Sequence, residues 1–288
     1  MTINCPNSTC SSTTFYKDGF YFRSDDSRWI QRYKCKLCYK KFSNATFKLE
    51  YRQKKRRDNH LLFHLFASGI SMRRCSKITG LHPITIQRKF IYISQKAKLK
   101  QSQLLSRFEN NKIKHIQFDD LITIEHTKLK PLSVSAAVDA KTRSILSVQV
   151  SKIPAFGHLA SLSRKKYGKR VNEHRKGLEA MFKELTPIVD PKSYIQSDEH
   201  KAYPQFVKEY FPYAKYDRYK GGRGCVTGQG ELKKQHFDPL FSINHCFAMM
   251  RANINRLFRR SWCTTKKTQM LLRHLHIYIF YHNTVLLN

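Results

Sequence analysis

Two close pairs of cysteines near the N-terminus constrain this chain more than any other feature. Cys5 and Cys10 enclose Pro6-Asn7-Ser8-Thr9, and Cys35 and Cys38 enclose Lys36-Leu37. A tetrahedral zinc ion takes four thiolates presented on two adjacent turns, and two such pairs supply them. Between the pairs lie Phe15, Tyr16, Tyr21, Phe22, Trp29, Ile30 and Tyr33, β-formers that predict short strands. A unit of this size folds around a metal rather than around an apolar core of its own. The expectation for residues 1–45 is therefore a zinc ribbon whose Zn²⁺ is structural, because all four coordination positions are filled. Cys75, Cys225, Cys246 and Cys263 are scattered and read as small core residues.

Charge narrows the partner. The chain holds 54 Lys+Arg against 20 Asp+Glu in 288 residues, a formal net charge of +34. Self-repulsion on that scale is relieved by a polyanion, since each neutralised phosphate releases counterions, and double-stranded DNA is the expected partner. No apolar run approaches the roughly 18 residues of a membrane span. No charged segment followed by an apolar one opens the sequence, so a cytoplasmic protein is expected.

Residues 46–105 carry the pattern of a helix-turn-helix. A basic stretch with Lys54, Lys55, Arg56 and Arg57 leads into Leu61, Leu62, Leu65 and Phe66, one apolar helical face that Gly69 ends. Ser71 is placed to cap a short second helix with Met72, Cys75 and Ile78, and Gly80 to end it. Pro83 suits the first turn of a third helix, in which Ile86, Phe90, Ile93 and Ala97 pack inward. Thr85, Gln87, Arg88 and Lys89 are left facing outward, as in a helix that enters the major groove. The alternative is a plain three-helix packing unit.

From residue 113 the periodicity changes from helical to alternating. In Ile116 to Ile124, residues 116, 118, 122 and 124 share an apolar face, whereas Gln117, Asp119 and Thr123 point the other way. Asp120 falls in line with the apolar set, so Asp119, on the more polar face, is the candidate acid. Leu132 to Val138 and Leu146 to Val150 form a hairpin whose turn, Asp139 to Arg143, assigns Asp139 to turn formation. A basic stretch from Arg164 follows, then a helix with Leu178, Met181, Phe182 and Leu185, and a strand, Tyr194 to Ser197, ending in Asp198. An acid at the end of a strand after a helical crossover lies at the mouth of a sheet. A helix, a strand over 214–219 and another helix complete the series. The order predicts an α/β RNase H-like core with a mixed sheet over residues 106–288, the whole chain being a multi-domain α+β protein. In that fold the first and fourth strands are neighbours, and Asp119 and Asp198 would share catalytic Mg²⁺ or Mn²⁺, two cations about 3.5–4 Å apart.

Four stretches carry a resemblance: Cys5 to Ser43; Phe118-Asp119-Asp120-Leu121; Ser197-Asp198-Glu199-His200-Lys201-Ala202-Tyr203; and Ile243-Asn244-His245 through Arg259-Arg260-Ser261-Trp262-Cys263-Thr264-Thr265-Lys266-Lys267. With the helix-turn-helix they span nearly the whole chain, which resembles bacterial insertion-sequence transposases of the DDE superfamily, in the group with a zinc ribbon. The resemblance implies binding to the terminal inverted repeats of a mobile element, phosphodiester hydrolysis and strand transfer. It maps the first two acids of the triad to Asp119 and Asp198. The third position departs from the usual pattern, because no Asp or Glu follows Asp238. Asn244 stands there, with Glu231 and Asp238 as rivals and helix capping as the bland role for Asn244.

The late helix carries a stripe of Ile243, Phe247, Met250, Ile254 and Leu257, with Asn244, Arg251 and Asn255 beside it. Arg251, Arg256, Arg259, Arg260, Lys266 and Lys267 are expected to contact DNA phosphates. The run from Leu271 to Tyr281 reads as a packing helix, and His274, His276 and His282 form no metal signature. Pairing two DNA ends implies a homo-oligomer on DNA. The competing readings are a DNA-binding regulator with a decayed core and a junction-cutting nuclease.

Overall fold

The computed structural model describes residues 4–220, 238–257 and 264–287. The chain divides into two compact units, one of residues 1–64 with 72–96, the other of residues 65–71 with 97–288.

The first unit opens with the cysteine loop and three antiparallel strands, β1 (Phe15–Arg23), β2 (Arg28–Cys35) and β3 (Lys41–Ser43), in the order β1-β2-β3. Phe15, Tyr33, Phe42 and Phe47 meet edge-on or tilted at centroid distances of 5.3–5.9 Å and make a small aromatic core. Three helices follow in the chain, α1 (Asp58–Ala67), α2 (Met72–Thr79) and α3 (Pro83–Leu105), of which the last residues of α1 and α3 belong to the second unit. Gly80, at φ +66°, turns the chain between α2 and α3 where an L side chain would be strained. Ile86, Phe90, Ile93 and Ala97 are buried as expected. Leu61 and Ile78 are not: both are about half exposed, whereas Leu62 and Cys75 are buried.

The stretch before α1 is pinned rather than loose. The Arg56 backbone N–H donates to Asp25 at 3.0 Å, and Glu50 accepts from Tyr92 Oη at 2.8 Å and Lys96 Nζ at 2.9 Å. The Lys96 hydrogen bond, outweighing partial burial, lowers the Glu50 carboxyl to about 2. Lys89 corrects the sequence reading. Its side chain is only 2% exposed, and its ammonium donates to Lys55 O at 2.7 Å, Asn59 Oδ1 at 2.8 Å and Lys54 O at 3.2 Å. Three acceptors saturate that ammonium, so Lys89 holds this stretch to α3 and is unavailable to a phosphate. Gln87 and Arg88 are exposed and Thr85 is half-buried.

The second unit is built on five strands: β4 (Ile113–Glu125), β5 (Thr127–Asp139), β6 (Ile145–Lys152), β7 (Val189–Asp198) and β8 (Lys215–Tyr219), in the order β6-β5-β4-β7-β8. The β4–β5 and β5–β6 pairs are antiparallel, whereas β4–β7 and β7–β8 are parallel. The hairpin turn forms as expected, with Asp139 Oδ2 accepting from Thr142 Oγ1 at 2.5 Å. Between β6 and β7 lie α4 (Leu159–Tyr167) and α5 (His174–Leu185), and between β7 and β8 lies α6 (Tyr203–Tyr210). The basic stretch from Arg164 is thus the last turn of a helix, α4, rather than a segment between elements. Then come α7 (Phe241–Asn253) and α8 (Thr268–Tyr281).

Both faces of the sheet are covered. Ile116 and Phe118 pack with Leu178, Met181 and Phe182 of α5 and Phe206 of α6. Leu121, Val134 and Val148 pack with Ile243 and Met250 of α7 and Leu275 of α8. The Asp119 face is therefore not the polar side expected from the alternation: it lies toward α7 and α8, with Gln117 only 4% exposed. Gly177 seats α5 against β6, since a Cβ there would come within 2.0 Å of Ser151 Oγ. The late stripe is buried as expected, but α7 ends at Asn253, and Asn255 to Leu257 form a separate 3-10 turn. His274 is a core histidine bonded to Phe66 O at 2.8 Å. Among the described residues no helix is long and apolar enough to cross a membrane.

Replacing Lys89 by Met leaves buried carbonyls without their donor. It should lower the unfolding free energy by about 1–3 kcal/mol, whereas Arg88→Met on the open face should change it by under about 0.5 kcal/mol. Urea denaturation reads both, and equal effects would deny Lys89 its bracing role.

Candidate functional site

Two constellations carry chemistry, one in each unit. In the first, the Sγ atoms of Cys5, Cys10, Cys35 and Cys38 lie within 4.8 Å of one another. Cys5–Cys38 is 3.4 Å and Cys10–Cys35 3.8 Å. Tetrahedral Zn–S bonds of about 2.3 Å place sulfurs roughly 3.8 Å apart, so the donor set fits a metal such as zinc. Backbone N–H groups of Cys38 and Leu37, outweighing burial, draw the Cys35 thiol down to about 6, which favours the thiolate a metal needs. Burial pushes Cys5 the other way, to about 12. Among the described residues this is the one group of three or more His, Cys, Asp or Glu side chains set to hold a metal ion.

The second constellation joins the middle of β4 to the end of β7. Their parallel ladder pairs Ile116 with Ile195 and Gln117 with Gln196. Asp119 and Asp198 are each two residues further along, on the same face and facing the same cleft of about 300 Å³. Asp120, Ile122, His174, His200 and Tyr203 also line that cleft. One oxygen of each acid is fixed by the backbone. The Asp120 N–H donates to Asp119 Oδ1 at 2.7 Å, and the His200 N–H to Asp198 Oδ1 at 2.9 Å. Among the described residues Oδ2 of each takes no donor and is left to the cleft. Burial first, then the like charge of Asp198, raises the Asp119 carboxyl to about 7. Two acids in one poorly solvated place resist joint ionisation, and a cation between them removes that resistance.

The neighbouring Asp120 does a different job. Burial opposes its ionisation, but the hydrogen bond and charge of His174, with the hydroxyls of Ser135 and Ser133, outweigh it and hold the carboxyl below its usual range. His174 is raised in turn by Asp120 despite its own burial. The distances are 2.5 Å to His174 Nε2, 2.5 Å to Ser135 Oγ, 2.7 Å to Ser133 Oγ and 2.7 Å to Tyr203 Oη. With four donors bound, Asp120 anchors β4 to β5, α5 and α6. Nothing in the local sequence marked His174 or Tyr203 as its partners, since they lie 54 and 83 positions away.

Gln117 is a second residue that sequence reasoning passed over. Its Nε2 donates to Gln196 Oε1 at 2.8 Å and Pro239 O at 2.8 Å, and its Oε1 accepts from the Ile243 N–H at 3.1 Å. One buried amide thus joins β4, β7 and the start of α7, bringing that helix to the Asp119 side of the sheet. There Asn244 is exposed, and its Nδ2 donates to Asp238 Oδ2 at 2.9 Å. Asn244 does not cap the helix: the N-cap is Leu240, without a side-chain cap bond, and Asp238 Oδ1 accepts from the Leu240 N–H at 3.0 Å in the turn before it. Asn244 is not among the residues lining the Asp119–Asp198 cleft. Glu231 lies outside the described residues, as do Arg259 and Arg260. Lys266 and Lys267 are exposed, whereas Arg251 and Arg256 are half-buried, and burial lowers the Arg256 guanidinium.

Comparison of the chain with protein-family models finds no match, and comparison with curated proteins finds none either.

Because Asp119 in the folded chain titrates near 7 rather than 3.8, it favours folding below about pH 4, and that advantage is lost as the pH rises to about 7. Asp119→Asn removes the like charge, so in protein given no Mg²⁺ or Mn²⁺ it should raise the Tm at pH 8 by a few degrees. Thermal denaturation with the cysteine site metal-loaded checks this. A lowered Tm would mean that Asp119 is not under electrostatic strain.

Proposed function

We propose that the chain is a DNA transposase of the DDE type: a zinc ribbon and a helix-turn-helix that hold a DNA end, joined to an RNase H-like core that cuts and joins phosphodiesters. The observation that carries the reading is that Asp119, in the middle of β4, and Asp198, at the end of β7, lie on one face of two adjacent parallel strands and line one cleft, each with one oxygen fixed by a backbone N–H. The strand order β6-β5-β4-β7-β8, with three antiparallel strands followed by two parallel ones, supports the RNase H-like assignment. The net charge of +34 supports a polyanionic substrate.

Asp119 and Asp198 would hold Mg²⁺ or Mn²⁺. Such ions supply activation of the attacking oxygen and stabilisation of the leaving one. Water attacks phosphorus at the element end, the bond to the bridging 3′-oxygen breaks, and the freed 3′-hydroxyl then attacks a target phosphodiester, releasing a target 3′-hydroxyl. Asp120, His174 and Tyr203 keep the Asp119 strand in place. Asn244 completes the triad as a neutral oxygen ligand if its amide leaves Asp238, and Glu231 is the rival. Thr85, Gln87 and Arg88 would reach base edges, and Arg251, Arg256, Lys266 and Lys267 the backbone.

A second reading is favoured by one feature: the Asn244 amide is tied to Asp238 and no acid follows it, as in a regulator whose catalysis has decayed. One assay separates the two. Duplexes selected from a random pool by the protein, incubated with Mn²⁺, should be nicked and joined by the wild type. Asp119→Ala and Asp198→Ala should lower the rate at least about a thousandfold with binding unchanged. Loss in Asn244→Ala but not Glu231→Ala assigns the third ligand. Elemental analysis should find one zinc per chain. Binding without cleavage by the wild type would overturn the enzyme in favour of the regulator.

A further inference from the structure

Apart from both constellations, α1 carries a pair of histidines. His60 and His64 stand one helical turn apart on one face of the helix, and their Nε2 atoms are 3.3 Å from each other. The ring centroids are 4.6 Å apart and the planes are inclined at 57°. His60 is exposed; His64 is half-buried, its ring lying edge-on to Phe63 at 5.3 Å. Burial, then the neighbouring His60, holds the His64 imidazole below its ordinary pKa, which favours the neutral ring. A neutral imidazole is the form that binds a metal.

Two ring nitrogens that converge in this way share either a proton or an ion. A hydrogen bond between them would be long, since an N–H donor usually sits about 2.7–3.2 Å from an acceptor oxygen. Zn–N bonds of about 2.0–2.1 Å at the tetrahedral angle set two ligand nitrogens roughly 3.3–3.4 Å apart, which is the spacing found. We propose that His60 and His64 chelate a second transition-metal ion, Zn²⁺ or a divalent ion of similar softness, separate from the cysteine site. The chelate closes across one turn of α1. Among the described residues no third His, Cys, Asp or Glu joins the pair, so the remaining positions belong to water. Imidazole pairs select zinc, cobalt, nickel and copper, whereas Mg²⁺ and Mn²⁺ prefer oxygen. Leu61 follows His60 where the helix of a zinc protease carries its glutamate base, so the site binds an ion without hydrolytic chemistry. The inference does not depend on the proposed DNA chemistry.

The test uses the full chain, its cysteines filled with Zn²⁺, titrated with Co²⁺ in the absence of DNA. A second ion should bind and give the weak visible bands of cobalt held by nitrogen and oxygen, with no thiolate-to-cobalt band in the near ultraviolet. His60→Gln and His64→Gln should each weaken that binding about tenfold or more, at least what loss of an outer-shell partner costs a metal site. The double variant Asp119→Asn with Asp198→Asn should leave it unchanged, which separates the event from the carboxylate cleft. Mn²⁺ should not displace the cobalt. His60→Cys should keep the ion and add the thiolate band, a signature that only a ligand at that position gives. His60 is exposed, so metal-free melting curves of its variants should match the wild type. No second Co²⁺ bound below about 1 mM overturns the site and leaves the two rings sharing a proton. Binding that survives both glutamine substitutions, or a His60→Cys chain that binds cobalt without the thiolate band, overturns it too.

Discussion

The parallel register between β4 and β7 is the constraint on which the rest of the second unit depends. With Gln117 opposite Gln196, two acids 79 positions apart in sequence come to one face and one cleft. A slip of one residue would turn one of them to the opposite face, because strand side chains alternate. The register is held by more than ladder bonds. The Gln117–Gln196 amide pair locks it from one face, and α7 is tied to the same amide through Pro239 and Ile243. Removing that amide would loosen the register and the late helix together.

Adjacent aspartates on one strand, both lining the cleft, divide the work by the partners each one meets. Asp120 lies among donors, takes four of them and stays ionised against its burial, a fully satisfied polar anchor within an apolar layer. Asp119 is buried too, but its neighbour is another acid, and its carboxyl rises instead. The same residue type thus serves cohesion at one position and bears strain at the next. A bound cation relieves strain of this kind, so in the proposed transposase Asp119 rather than Asp120 would be the ligand.

Much of this was legible from the residues. The cysteine spacing foretold four sulfurs in one place, and the change from helical to alternating periodicity at residue 113 foretold the strand bearing Asp119. Glycines 69 and 80 marked the helix ends because each takes a positive φ. What escaped reading depends on distant partners. Lys89 looked like an outward cation, since no local pattern reveals that Lys54, Lys55 and Asn59 offer it three oxygens. The Asp119 face looked solvated because Gln117 is polar, yet that glutamine is buried as a clamp for α7. Alternation tells which side chains share a face; it does not tell what covers it.

The account stands on Asp119 and Asp198 acting as one cation site. Mn²⁺ binding to the DNA complex, followed by the loss of the free-ion electron paramagnetic resonance signal, tests this most directly. The wild type should bind Mn²⁺ in addition to its cysteine-bound metal, and Asp119→Asn and Asp198→Asn should each weaken that binding about tenfold or more. Equal Mn²⁺ affinity in the wild type and both variants would contradict the shared site.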